Sequence, residues 1–190
     1  DNIYHEHYNY WSATSLLNFF NQFNLKIFNI EKINTHGGSI RVFLSKNKKI
    51  KVNKNVKDIL KEEEIFGIKN LKTYEDFNEK IKNFKNNVLR NIKKLKDEGK
   101  KIIGYGAPAK ATTALNFLNI INEIEFIVED NKLKHGKLVP GVNIPIFPKT
   151  KITDNNSIIL VLAWNFFDEI KKNNPIISNQ LINIKELGKN

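Results

Sequence analysis

The 190-residue sequence predicts an α/β fold, with a Rossmann-like parallel sheet over residues 100–190. Strand-like and helix-like segments alternate there, the order that builds parallel βαβ units. A glycine turn, Gly104-Tyr-Gly-Ala-Pro-Ala-Lys110, lies between a short apolar strand and a helical segment. The run Ile158-Ile-Leu-Val-Leu162 is apolar throughout, as a strand covered on both faces must be.

In chain order, Leu16, Phe19, Phe20 and Phe23 recur at helical spacing and predict a helix over Thr14 to Phe23. Thr14 is its expected N-cap and the aromatic stripe its core face. Leu25 to Ile33 and Ile40 to Leu44 read as two strands joined through Gly37-Gly38, a hairpin. The polar, basic stretch 46–55 is the expected domain boundary, giving domains 1–46 and 47–190. A helix over Val56 to Ile65 stops at Gly67. A longer one, Tyr74 to Glu98, carries Tyr74, Phe77, Ile81, Phe84, Val88, Ile92 and Leu95 three or four residues apart, with Gly99 as C-cap. Ile102 and Ile103 then form a buried strand, and the next helix begins near Pro108, where the missing N–H costs nothing. Glu125 to Val128 is a second strand, Pro140 to Pro145 a loop, Ser157 to Ala163 a third strand. Phe166 to Lys172 is a helix and Leu181 to Ile184 a last strand.

Composition excludes several classes. Cysteine is absent, so this stretch has neither disulfides nor thiolate metal ligands. No apolar run approaches the ~20 residues of a membrane span, and no signal peptide is visible. The expectation is a cytoplasmic protein. The charge of +11 raises nucleic acid as a partner, but the lysines are spread through nearly every helix and loop. That is a compositional bias, so no nucleic-acid partner is expected. Methionine is absent even from position 1, and the expectation is a piece of a longer protein.

Two stretches carry chemistry. Gly104, Gly106 and Ala109 match G-x-G-x-x-G/A, which aims backbone N–H groups at an anion beside a helix start. Lys110 adds a charge, and Glu129, ending the second strand, is placed to meet a ribose hydroxyl. A tight turn that binds nothing is the plainer alternative. Asn165 follows the third strand, at the edge where open sheets hold ligands. The second stretch, Tyr4 to Tyr10, packs two histidines, one glutamate and three tyrosines into seven positions. His5 and His7, with His36, could hold a metal. H-E-x-x-H fails, because Asn9 stands at the last position. As an acid–base site, a histidine is the natural base and a phenol can steady an oxyanion. His36-Gly37-Gly38 is similar to a lipase oxyanion loop, but no G-x-S-x-G accompanies it.

Taken together, Ile3-Tyr-His-Glu-His-Tyr8, Thr35-His-Gly-Gly-Ser-Ile-Arg41, the glycine turn, Pro140-Gly-Val-Asn-Ile-Pro-Ile146 and Ala163-Trp-Asn-Phe-Phe-Asp-Glu-Ile170 resemble the C-terminal part of sugar-nucleotide C-methyltransferases of the tetronitrose C-3 methyltransferase type. The resemblance covers the whole chain. It implies that residues 1–46 end a class I methyltransferase domain, followed by a Rossmann-like domain that helps hold a dTDP-linked 4-keto deoxysugar. S-adenosylmethionine is the implied methyl donor, with its site mostly upstream of Asp1, and zinc is implied only for a preceding domain. No metal is then expected at His5 and His7. By this resemblance Tyr4, Glu6 and His7 are the catalytic residues, with His7 the base that deprotonates the carbon beside the ketone. Gly104, Gly106, Ala107, Lys110, Asn165 and His36 are expected to contact the nucleotide sugar. For Tyr4, Glu6 and His7 to converge, their stretch must be irregular, since neighbours in a strand face apart. The chain alone is expected to lack methyltransferase activity. The rivals are a nicotinamide-dependent oxidoreductase, built on the glycine turn and Glu129, and a basic nucleic-acid module.

Overall fold

The computed structural model describes residues 7–35 and 38–189, which form two units, one running to Asn78 and one from Glu79. Tyr4, His5, Glu6 and His36, expected at the site, lie outside the described residues.

The first unit packs two helices on a hairpin. Residues 7–12 form no helix or strand. Helix α1 is Ala13–Asn21. Its N-cap is Ser12, not Thr14: the Ser12 hydroxyl accepts from Ser15 N–H at 3.0 Å while the Ser15 hydroxyl accepts from Ser12 N–H at 2.8 Å. Thr14 sits inside the first turn and donates its hydroxyl to Glu63. The aromatic stripe is a correction as well. Phe19 meets Trp11 and Phe23 with tilted rings near the surface, and Phe23 is 60% exposed. Periodicity defines a face but not whether a partner covers it.

Strands β1 (Lys26–Ile33) and β2 (Ser39–Ser45) pair antiparallel. Ile27 and Ile30 are both buried although three apart, and a bulge explains it. Ile27 pairs with Leu44 and Asn29 with Phe43, so Phe28 is an extra residue that resets the alternation. Helix α2 (Lys54–Phe66) ends on Gly67 in the left-handed conformation, φ 78°. Its Val56 and Ile59 join Ala13, Ile27 and Ile30 in one small core. The connector 46–55 therefore lies inside this unit by packing.

Helix α3 runs Leu71–Asp97. Its stripe is buried only toward the C-terminal end, at Val88 and Ile92; Tyr74 and Phe77 are 56% and 50% exposed. Gly99 (φ 75°) closes it, and Lys100 N–H returns to Leu95 O at 3.0 Å.

The second unit is built on five parallel strands: β3 (Ile102–Tyr105), β4 (Ile127–Val128), β5 (Ile146–Phe147), β6 (Ile158–Val161) and β7 (Leu181–Asn183). Their order is β5-β4-β3-β6-β7, the Rossmann-like arrangement. Side chains alternate across the sheet. Ile102, Ile127, Leu160 and Leu162 pack with α3 and with α4 (Ala109–Leu118), whereas Ile103, Tyr105, Val128, Ile159 and Val161 pack with Phe167 and Ile170 of α5 (Phe167–Asn173). A final turn of helix, α6, is Ile184–Leu187. Strand β5 and helix α6 were not expected, and the strand expected over Glu125–Val128 shrinks to its last two residues. Pro108 is the N-cap of α4, one place earlier than its first turn.

Candidate functional site

Strand order reverses direction of growth at β3, between β4 and β6, and ligands in open α/β sheets sit at the carboxyl ends of such strands. A cleft of about 370 Å³ opens there, with Tyr105, Gly106 and Pro108 on one side, Glu129, Asp130 and Lys134 after β4, and Ala163, Glu169 and Asn174 after β6.

The two glycines have different tasks. Gly104 lies inside β3 and is buried. A Cβ there would stand 2.6 Å from Ile127 Cγ1 and 3.0 Å from Leu162 Cδ1, so this glycine admits core side chains and does not line the cleft. Gly106 (φ 88°) makes the turn, and a Cβ on it would stand 2.9 Å from Ala163 Cβ. It lets the ends of β3 and β6 approach. Gly106→Val would therefore disturb packing and could not report on a ligand alone.

The N–H groups of Gly106 and Ala107, at the tip of the turn, are committed within the chain. Gly106 N–H donates to Val128 O at 2.8 Å. Ala107 N–H donates to Glu129 Oε2 at 2.8 Å. Lys134 Nζ donates to Ala107 O at 2.9 Å and lies 3.3 Å from the same Glu129 oxygen. Asn131 N–H donates to Glu129 Oε1 at 3.1 Å. His135 Nε2 meets Glu129 O at 2.7 Å and holds the segment from behind. Glu129 thus occupies the position where an anion was expected. Burial alone would raise its pKa; the N–H bonds from Ala107 and Asn131 and the Lys134 charge outweigh that and hold the carboxyl below its ordinary value.

Across the floor, the buried Tyr105 hydroxyl donates to Asp130 Oδ2 at 2.8 Å and accepts from Asn174 Nδ2 at 3.3 Å. Lys149 Nζ donates to Asn174 Oδ1 at 2.6 Å. Burial, then the bond to Asp130 and its charge, raise the Tyr105 pKa well above the ordinary phenol value, so the phenol stays neutral.

Among the described residues lining the cleft, Lys134 is the single cation against Glu129, Asp130 and Glu169. A phosphate at Ala107 N–H would stand within about 4 Å of the Glu129 carboxylate, where like charges repel by roughly 4 kcal/mol at an effective dielectric near 20. This geometry disfavours the pyrophosphate of a nicotinamide dinucleotide at the turn.

Of the residues expected to contact substrate, the structure brings Gly106 to the cleft and places Ala107 on its rim, its N–H aimed at Glu129. Lys110 is half-buried in the first turn of α4. Asn165 is exposed in the 3-10 turn Trp164–Phe166, of which Phe166 lines the cleft. His7 is exposed, its ring edge-on to Tyr10 at 6.0 Å. Lys134, Asp130, Glu169 and Asn174 were not singled out from sequence. The one available signal was Glu129-Asp130, acidic residues ending a strand opposite a glycine turn.

The family profile described as C-methyltransferase C-terminal domain matches residues 34–182. The chain is also similar to C-methyltransferase NovU of Streptomyces niveus, 33% identical over 176 residues. That similarity covers 91% of this chain and 42% of the relative, so the chain spans about two-fifths of the curated protein it matches.

Proposed function

The chain belongs to the C-methyltransferase C-terminal domain family, and from that premise we propose that it is the substrate-holding part of an S-adenosylmethionine-dependent enzyme that methylates a carbon of a nucleotide-linked 4-keto deoxysugar. The observation that carries this reading is the span of the family match, which takes in the glycine turn and every strand of the cleft. The similarity to a C-methyltransferase over nearly the whole chain supports it.

In this reading His7 removes the proton from the carbon beside the ketone, an acidified position, and Tyr4 and Glu6 position the sugar and steady the developing oxyanion. S-adenosylmethionine, when bound, supplies the methyl group that the resulting carbon nucleophile accepts. In this reading its site lies mostly upstream of Asp1; the bond from Ala107 N–H to Glu129 at the strand–glycine–helix turn supports that placement. In the same reading zinc belongs to a preceding domain. His36, Lys110 and Asn165 are proposed substrate contacts. No helix among the described residues is long and apolar enough to cross a membrane.

Titration calorimetry of the chain with dTDP and with NAD tests the reading. Binding of dTDP supports it; binding of NAD without dTDP replaces it with an oxidoreductase. In the chain joined to its upstream domains, His7→Asn should lower turnover about 10²–10⁴-fold, the usual contribution of a general base, with dTDP affinity retained. Exchange of the sugar's C-3 proton with deuterated solvent should disappear in the same variant. A larger effect of His5→Asn would move the base by two residues.

A further inference from the structure

We propose that the cleft recognises the nucleoside end of its ligand through a pentose hydroxyl held by Glu129, and that the diphosphate does not sit on the glycine turn. This rests on the nucleotide-sugar reading above and specifies which part of the ligand the cleft takes.

The argument is one of donors and acceptors. An anion needs donors, and the two N–H groups at the tip of the turn are already spent: Gly106 N–H on Val128 O and Ala107 N–H on Glu129 Oε2. The single cation among the described lining residues is paired with that same carboxylate and with Ala107 O. The Tyr105 hydroxyl is directed at Asp130. What the wall offers is acceptor capacity. Glu129 Oε2 already takes Ala107 N–H and Lys134 Nζ, whereas Oε1 takes Asn131 N–H alone; with about two lone-pair sites per carboxylate oxygen, Oε1 can take one donor more. The side chain is only 14% exposed, which gives a hydroxyl bond there little competition from water. The ligand group that fits is a neutral donor at the end of the second strand, where a carboxylate beside a parallel sheet meets a pentose. In a dTDP-linked sugar the pentose carries one free hydroxyl, at C-3′.

The test uses the full 190-residue chain and calorimetric competition among dTDP, its 3′-deoxy analogue and inorganic pyrophosphate. The proposal expects dTDP to bind and the 3′-deoxy analogue to bind about 10–100-fold more weakly, the usual worth of a hydrogen bond to a charged group. Pyrophosphate should not compete. Glu129→Gln should reduce the affinity for dTDP and leave that for the 3′-deoxy analogue unchanged. Equal binding of dTDP and the 3′-deoxy analogue, competition by pyrophosphate, or tighter dTDP binding by Glu129→Gln would each overturn the proposal while leaving the nucleotide-sugar reading intact. Failure of dTDP to bind at all would remove both. The analogue comparison uses the unaltered chain, so it decides even if the variant folds poorly.

Discussion

The hairpin unit and the parallel-sheet unit solve the problem of stability differently. Among the described residues the hairpin unit buries five apolar side chains: Ala13, Ile27, Ile30, Val56 and Ile59. The described part of the sheet unit buries eighteen on one face of its strands and six on the other. The smaller core is supplemented by polar clamps. Glu63 of α2 accepts Ala13 N–H at 2.6 Å and Thr14 N–H at 2.8 Å, satisfying two orphan donors of α1 with the charge its N-terminus favours. Asn55 ties the start of α2 to Ile30 O at 2.7 Å. Where apolar area is scarce, directional bonds fix the geometry. Where it is abundant, polar groups are released to line a cleft.

The comparison can be broken at its strong side first. Leu160, fully buried in β6, should cost about 2–5 kcal/mol when replaced by Ala, as large-to-small changes in packed cores do. Urea unfolding should show the loss, and a change under 1 kcal/mol would mean the sheet can collapse around the cavity. Next comes the clamp. Glu63→Ala should cost roughly 1–2 kcal/mol, the scale of a lost helix cap, with Glu63→Gln in between. If Glu63→Ala were neutral, the small core alone would suffice and the contrast would be wrong. The smallest effect concerns pH. Glu129 has a lowered pKa, so its contribution to stability is present above the ordinary carboxylate value of about 4.3 and is lost as pH falls through the lower folded value. Acid unfolding of Glu129→Gln should therefore depend less steeply on pH below about 4 than that of the unaltered chain. Superimposable curves would show that the carboxylate makes no linked contribution.

Much of the fold was legible because it is written in short-range pattern. The hairpin, the α3 periodicity and strands β3 and β6 follow from spacing, glycine punctuation and unbroken apolar runs. Strand β5 was not legible, since Ile146 and Phe147 stand between Pro145 and Pro148, which read as loop; only pairing with β4 makes them a strand. The cap of α1 went to Ser12 because reciprocity with Ser15, three residues on, outweighs proximity to the first leucine. At the site, the glycine turn was legible as a turn but its occupant was not. Glu129 reaches Ala107 N–H across 22 residues of sequence, and only the parallel pairing of β3 with β4 brings them together.

The arrangement of the sheet has a consequence for how the chain acquires it. β3 is the central strand, yet its partner β6 begins 56 residues later, Ile102 pairing with Ile158. No two strands of this sheet are joined by a hairpin, so no local ladder can seed it. On a ribosome adding about 5–20 residues per second, Ile102 and Ile103 emerge roughly 3–11 s before Ile158 and Ile159. During that interval α3 and α4 are the shelter available to one face of β3, and the face carrying Ile103 and Tyr105 waits uncovered. Slow, long-range pairing of this kind is where aggregation competes with folding, so yield on expression should depend on synthesis rate and temperature more than equilibrium stability would suggest.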